Sequence, residues 1–528
     1  MKIAFTQILA LTACVLLTAC GAGNSSTSTA TTSTMGGTIS GLTSGALVLQ
    51  NNSTDALTIV ANANSSTFVF ATPMVIGATY AVTVATQPTG FTCSVTSGTG
   101  TVVSSIVTSV VVTCVANWIG TKQLGVATKA TTGNSIATDV SGNVYVAGST
   151  TGGLDGNTLT GTQDFFVTKY NSSGVKQYTK QLGVSTKDTQ GNSVATDTSG
   201  NVYVAGRTRG GLDGNTLLGS IDTFLTKYNI DGVKQYTNQL GSTINLAWTR
   251  GLGVTTDTSG NVYVTGDIDS SGLDGNTLTG VQDFFFTKYN SSGVKQYTRQ
   301  LGVSTKLTYA LSVKTDASGN VYVAGYTNGG LDGNTLTGTQ DFFVTKYNIS
   351  GVKQYTRQLG VAGVITQGNS VATDASGNVY VAGYTAGSLD GNTLTGTQDF
   401  FVTKYDSSGV KLYTKQLGVA GVITQSLGVA TDASGNVYVA GFTTGGLDGN
   451  TLIGTRDFFF TKYDSSGVKQ YTKQFGVATT FTQGTGVATD ASGNVFVAGY
   501  TTGGLDGNTL TGTRDFFVTK YNSSGVKQ

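Results

Sequence analysis

LDGNTLTGTQDFFVTKYNSSGVKQYTKQLG, residues 154–183, is half of a unit that the chain writes seven times. Its opening Leu-Asp-Gly-Asn-Thr-Leu returns at Leu212, Leu273, Leu331, Leu389, Leu447 and Leu505. Inside it, Asp-Phe-Phe-Val-Thr-Lys-Tyr and Val-Lys-Gln-Tyr-Thr-Lys-Gln-Leu carry the aromatic and β-branched residues of strands. Asn-Ser-Ser-Gly between them is a compact hairpin turn in which glycine takes a positive φ. Upstream lies Asp-x-Ser-Gly-Asn-Val-Tyr-Val-Ala-Gly, whose Asp falls at 139, 197, 257, 316, 374, 432 and 490, a spacing of 58 to 60 residues. The second copy divides into four strand candidates: Asn192–Thr196, Asn201–Gly206, Asp222–Tyr228 and Val233–Leu240.

Four antiparallel strands in about 58 residues make one propeller blade. Phe-Phe-Val and Val-Tyr-Val-Ala-Gly are apolar on consecutive residues, so both faces of their sheet are covered, as when blades stack. The small first strand suits the crowded inner end of a wedge, and the lysines of the fourth suit an exposed edge. The motif Asp-x-Ser-Gly-Asn-Val-Tyr-Val-Ala-Gly with the distal Asp-Phe-Phe-Val-Thr-Lys-Tyr resembles the SBBP family of bacterial β-propeller repeats and, more loosely, NHL repeats. The resemblance spans residues 118–528 and implies a propeller without implying an activity. The last copy stops at Gly525-Val-Lys-Gln528, and its missing fourth strand precedes the first copy as Trp118-Ile-Gly-Thr-Lys-Gln-Leu-Gly125. A closed seven-bladed β-propeller is therefore expected. An open solenoid is the alternative, and it leaves this complementary cut unexplained.

Composition narrows the function classes. The 528 residues carry a net charge of +2 with 11% charged residues, which provides no basic field for nucleic acid. With 75 glycines and 2 prolines, the chain suits many short strands and tight turns. It has no histidine, and all 28 acidic residues are aspartate, which removes the residues from which most hydrolase and metal centres are built.

Residues 1–19 read as a lipoprotein signal peptide: Met1-Lys2, the apolar run Ile3 to Leu17, then Leu17-Thr18-Ala19-Cys20, which resembles a bacterial lipobox. That resemblance implies lipidation of Cys20, a membrane anchor, and a place in the bacterial cell envelope, at the outer membrane or cell surface. Residues 20–35 read as a Ser/Thr-rich tether. Residues 36–117, with strand candidates Ala46–Gln50, Ala56–Val60, Thr67–Phe70, Tyr80–Val84 and Val110–Val112, read as a small β-sandwich. Within it Cys93 and Cys114 are expected to pair, as two cysteines of an exported protein do, and the disulfide would contribute about 3 kcal/mol in the chain-entropy model.

Three aspartates recur in every blade, accounting for 21 of the 28. A catalytic acid needs one special environment, so residues copied seven times are architectural, and no catalytic residue is assigned. Asp155, Asn157 and Asp164 offer hard oxygens to calcium. They lack the Asp-x-Asp-x-Asp-Gly pattern and any Glu, so Asp-Gly-Asn is read as a turn in which Asp155 and Asn157 accept backbone N–H groups. No metal or cofactor is expected. The two short turns of each blade share one face, and the long loop shares the other with the inter-blade connection. That second face holds the variation, and loops on a rigid scaffold carry binding. There the second copy has Arg207 and Arg209, and the third has Asp267, Asp269 and a longer connection containing Ile244, Leu246, Trp248 and Arg250. Arg207 and Arg209 are expected to pair with Asp267 and Asp269, and Trp248 with Arg250 to form a contact site. The chain thus reads as a monomeric, lipid-anchored, non-enzymatic binding or scaffold protein for a protein or glycan ligand. The alternatives are a structural surface spacer and a propeller lyase or glycosidase.

Overall fold

A computed structural model describes residues 31–61, 66–244 and 246–528. The Cys20 lipidation expectation falls outside these residues. The chain divides into two compact units, up to Ala116 and from Asn117 onward.

The first unit holds two sheets. One orders Thr67–Val69, Thr32–Ser40, Ile106–Ala116 and Phe91–Thr96, with Met74–Val75 also on Thr32–Ser40. The other orders Asp55–Val60, Ala46–Asn51, Thr79–Thr86 and Thr99–Thr101. Alternate residues of both sheets, among them Met35, Leu47, Leu49, Val110 and Val112, enter one apolar cluster. The first strand begins at Thr32, inside the stretch read as tether, because Met35 and Ile39 are buried at period two. Cys93 and Cys114 face each other across adjacent antiparallel strands and are joined by a disulfide.

The second unit is built of repeated four-stranded antiparallel blades, propeller-like, numbered one to seven in the order of their inner strands. Blade one orders Thr131–Thr138, Val144–Thr150, Asp164–Tyr170 and Lys176–Leu182 from inner to outer strand. The inner strands of blades two to seven begin at Thr189, Thr249, Thr308, Thr366, Thr424 and Thr482. In the sheet of Thr482–Thr489, Val495–Thr501 and Asp515–Tyr521, the outer place is taken by Lys122–Leu124 from the other end of the unit. Trp118, just before it, is buried against Tyr170 and Phe496.

Both faces of each blade are covered, which is why the central strands read as unbroken apolar runs. Phe165 stacks on Phe224 at 4.8 Å, Phe342 on Phe401 at 4.9 Å, and Phe166 on Phe516 at 5.1 Å, each pair bridging two blades. A fully buried phenylalanine contributes about 1.5–3 kcal/mol, so each bridge adds to blade cohesion on that scale. On the outer edge, Lys176 donates to Asp155 Oδ1, and the same pair recurs at Lys234–Asp213, Lys295–Asp274, Lys353–Asp332, Lys411–Asp390, Lys469–Asp448 and Lys527–Asp506.

Candidate functional site

The inner strands line a central channel. Near its short-turn end, Thr196 Oγ1 donates to the Thr138 carbonyl at 2.8 Å, Thr256 to Thr196 at 2.8 Å and Thr315 to Thr256 at 2.7 Å. The sequence continues through Thr373, Thr431 and Thr489, and Thr138 donates to the Thr489 carbonyl at 2.7 Å, so the hydrogen bonds return to their start.

Two of the three repeated acids in each blade accept backbone N–H groups. Asp139 Oδ1 accepts the N–H groups of Ser141 and Asn143 at 2.9 Å, and its Oδ2 accepts Asn143 Nδ2 and the Tyr145 hydroxyl. Burial first, then this carboxylate, pushes the Tyr145 hydroxyl pKa up. Asp164, fully buried, accepts from the N–H groups of Thr160 and Gly161 at 2.8 Å and from Gln181 Nε2. A Cβ on Gly183 would stand 1.7 Å from its Oδ1, so the Leu-Gly that ends the outer strand needs its glycine.

Asp-Gly-Asn is a turn, but not by the expected hydrogen bonds. Asp155 sits at φ 55°, ψ 43°, a left-handed conformation that aspartate tolerates better than most residues, and Gly156 follows at φ 79°. Leu154 plugs the loop, fully buried, and its N–H donates to Gln181 Oε1 at 2.9 Å. Asn157 donates rather than accepts: its Nδ2 reaches the carbonyls of Leu154 at 2.8 Å and Thr179 at 3.2 Å. Asp155 accepts from Lys176, not from backbone. Among the described residues no group of three or more His, Cys, Asp or Glu side chains is arranged to hold a metal ion.

The blades differ at the rim of the channel on the long-loop face. The second residue of each inner strand pairs with the sixth of its neighbour: Thr132 with Ser149, Gln190 with Arg207, Arg250 with Asp267, Tyr309 with Tyr326. In blades five to seven the pairs are Gln367 with Tyr384, Gln425 with Phe442 and Gln483 with Tyr500. The four charges do not pair as expected. Arg209 Nε lies 2.9 Å from Asp188 Oδ1, and Arg207 Nη2 3.8 Å from Asp188 Oδ2, because the connection into blade two brings Asp188 beside them. Burial, with Arg209 and Arg250 nearby, lowers the Arg207 pKa against the opposing pull of Asp188. Asp269 Oδ1 accepts the Trp248 N–H at 2.9 Å, and Asp267 Oδ2 accepts Arg250 Nη2 at 2.9 Å as well as Gln282 Nε2.

Trp248 and Arg250 do come together. The guanidinium lies 4.3 Å from the indole ring and 6.0 Å from Tyr309, which stacks on Tyr326 at 4.8 Å. Asp267 beneath them is fully buried, and among the described residues its Oδ1 has no partner. Burial outweighs the guanidinium and raises its carboxyl to about 6. Burial and the adjacent Tyr309 and Asp267 likewise raise Tyr326 to about 12. Beside this cluster the longer connection of blade three exposes Ile244 and Leu246, at 56% and 76%. The Tyr309–Tyr326 stack escaped the reading of the sequence, although the departure of Tyr309 from the Gln found at 190, 367, 425 and 483 was its signal.

The SBBP family model, described as a beta-propeller repeat, matches residues 119–155, 177–213, 296–332, 354–390, 412–448 and 470–506. The chain carries six SBBP β-propeller repeats. The longest gap between these matches, residues 214–295, contains Trp248, Arg250 and Asp267. An uncharacterized WD repeat-containing protein of Acanthamoeba polyphaga mimivirus is 24% identical over 52% of this chain and 26% of its own length. Regulatory protein FlaEY of Caulobacter vibrioides is 27% identical over 38% of this chain and 24% of its own length. The chain thus spans about a quarter of these curated relatives. Among solved structures, the WD40 β-propeller domain of Doa1 is similar at a TM-score of 0.41 and 10% identity, covering 75% of this chain and 95% of that one. A polysaccharide lyase, PL25 ulvan lyase, is similar at 0.41 and 13%, covering 77% and 98%. The solved structures similar to this chain thus include an enzyme and a WD40 domain.

Proposed function

We propose that the protein is a non-enzymatic binding scaffold of the bacterial cell envelope. In this reading a closed seven-bladed propeller, carried behind a small β-sandwich and held to the membrane by lipid on Cys20, presents its long-loop rim to a glycan or protein ligand. One observation carries the reading: three side chains that depart from the repeat, Trp248, Arg250 and Tyr309, meet at one arc of the rim. Trp248, Arg250, Tyr309 and Tyr326 form a continuous aromatic and guanidinium surface there, flanked by Arg207 and Arg209 and by exposed Ile244 and Leu246. Aromatic rings and arginine are the groups that anchor recognition on rigid scaffolds. Asp267 and Asp269 act beneath that surface, holding Arg250 and the Trp248 backbone.

Asp267 is the one group that favours the enzyme reading, because a carboxyl near 6 suits a general acid. A general acid must reach its substrate, however, and Asp267 has no exposed surface. A pure spacer would need no departure from the repeat at all. The test is a glycan array and a pull-down from envelope extract, both with the soluble mature chain. Trp248→Ala with Arg250→Ala should abolish capture in a folded protein, and capture that survives both substitutions would move the site.

A further inference from the structure

The residue before each threonine of the ring is Ala137, Ala195, Thr255, Lys314, Ala372, Ala430 and Ala488 in turn. Six are small, which leaves a cavity of about 400 Å³ at the short-turn end of the channel. Only blade four sends a cation into it. Among the described residues Lys314 makes no hydrogen bond and no ion pair, and the surrounding protein lowers its pKa without any carboxylate to oppose the effect. Water reaches the side chain along the channel, while protein crowds it from every side. Asp197 and Asp257 are the other ionisable residues of the described lining. Each is occupied within its own turn, by Ser199, Asn201 and Tyr203 and by Ser259, Asn261 and Tyr263.

Lys314 also borders a second, polar cavity of about 190 Å³ toward the long-loop end. Four serine hydroxyls line it. Ser135, Ser193, Ser312 and Ser370 each accept a backbone N–H of the following blade, from Val194, Val254, Val371 and Val429. A hydroxyl whose oxygen is so used keeps its proton to donate. The threonine ring offers nothing comparable, since its hydroxyls already donate to carbonyls. The wall around Lys314 thus combines an uncompensated ammonium with spare O–H donors and no free carboxylate. An ammonium in such a channel gains charge-assisted hydrogen bonds from an anion that enters it.

We propose that Lys314, with the serine hydroxyls on the adjoining wall, forms an oxyanion-binding site inside the channel that takes a sulfate, phosphate or carboxylate group. The site lies along the channel from the rim and does not depend on the rim reading. The group arrives as a free ion or as the charged end of a sugar chain, and the two sources separate by titrating inorganic sulfate and phosphate, acetate, and glucose 6-sulfate in parallel.

Isothermal titration calorimetry on the full soluble chain tests it. Saturable one-to-one binding of at least one probe is expected, weakened about tenfold or more by Lys314→Ala, the value of one charge-assisted hydrogen bond. Alanine already occupies this position in five other blades, so the variant keeps its fold. Trp248→Ala with Arg250→Ala should leave the affinity unchanged, which separates this site from the rim. As an independent readout, the Lys314 ammonium resonance should titrate at higher pH once the anion is bound. Absence of saturable binding for every probe, or equal affinity in Lys314→Ala, would overturn the proposal.

Discussion

Asp267→Asn should remove a pH dependence that is built into the rim of blade three. In the folded protein the Asp267 carboxyl sits near 6 against an ordinary 3.8, because burial outweighs its contacts with Arg250 and Gln282. The folded state therefore binds a proton that the unfolded chain has already released between those two values. Stability from this group is fully present below about pH 4, falls as pH rises toward 6, and stays reduced above it. Each pKa step is worth 1.36 kcal/mol, so the loss amounts to about 3 kcal/mol. Asparagine carries no charge, and its Oδ1 can still accept from Arg250 and Gln282. Half-exposed Arg250 keeps its stack on Trp248 and its access to water. Urea unfolding of both proteins from pH 4 to pH 8, followed by tryptophan fluorescence, supplies the difference, in which the titrations of the 27 other aspartates cancel. The wild type should lose about 2.4 kcal/mol relative to the variant between pH 4 and pH 7, the rest of the effect lying below pH 4. Parallel curves would show that Arg250 holds Asp267 as an ordinary carboxylate, and the balance of burial against pairing argued for this rim would be wrong.

Deleting residues 118–125 should bare the edge of Asp515–Tyr521, lost to Lys122–Leu124 pairing, and lower the melting temperature by several degrees in differential scanning calorimetry. An unchanged transition would mean that the strand contributes nothing to closure. Addition of EDTA should leave the melting temperature unaltered, since Asp155 is engaged by Lys176 and Asp164 by two backbone N–H groups; a calcium-dependent shift would contradict that assignment. Lys353→Met, which opens one edge pair, should change stability by less than about 1 kcal/mol, because the pair is partly exposed.

The four-stranded repeat was legible because its determinants are local. Asn-x-x-Gly and Asp-x-Ser-Gly announce their hairpins, and Phe-Phe-Val announces a strand covered on both faces. The turn-closing role of Asp139 and its copies was legible for the same reason, since Asp-x-Ser-Gly-Asn places their acceptors beside the backbone N–H groups of their own turn. Partnership was less so. Arg207 and Arg209 find Asp188, which arrives on the connection into their own blade, and no spacing rule relates a connection residue to a strand residue two elements later. Asp155 and Asn157 were assigned the right turn with the wrong hydrogen bonds, because the left-handed aspartate points its carboxylate outward to Lys176. Lys314 stands in a stretch of sequence that otherwise reads as a variant first strand. Only the convergence of inner strands on one axis makes a single lysine in that position unusual.

Binding at the rim requires that affinity reside where the blades differ. Trp248→Ile, Arg250→Gln and Asp267→Tyr together would give blade three the rim of blade five, which has Ile365, Gln367 and Tyr384 at the equivalent positions. Each new side chain is already accommodated elsewhere in the same scaffold, so folding should be preserved. Surface plasmon resonance of the ligand captured by the wild type should then show a loss of affinity of about a hundredfold or more, the scale of a two-residue hot spot. Undiminished affinity in the folded triple variant would contradict the claim that this rim is where the protein binds.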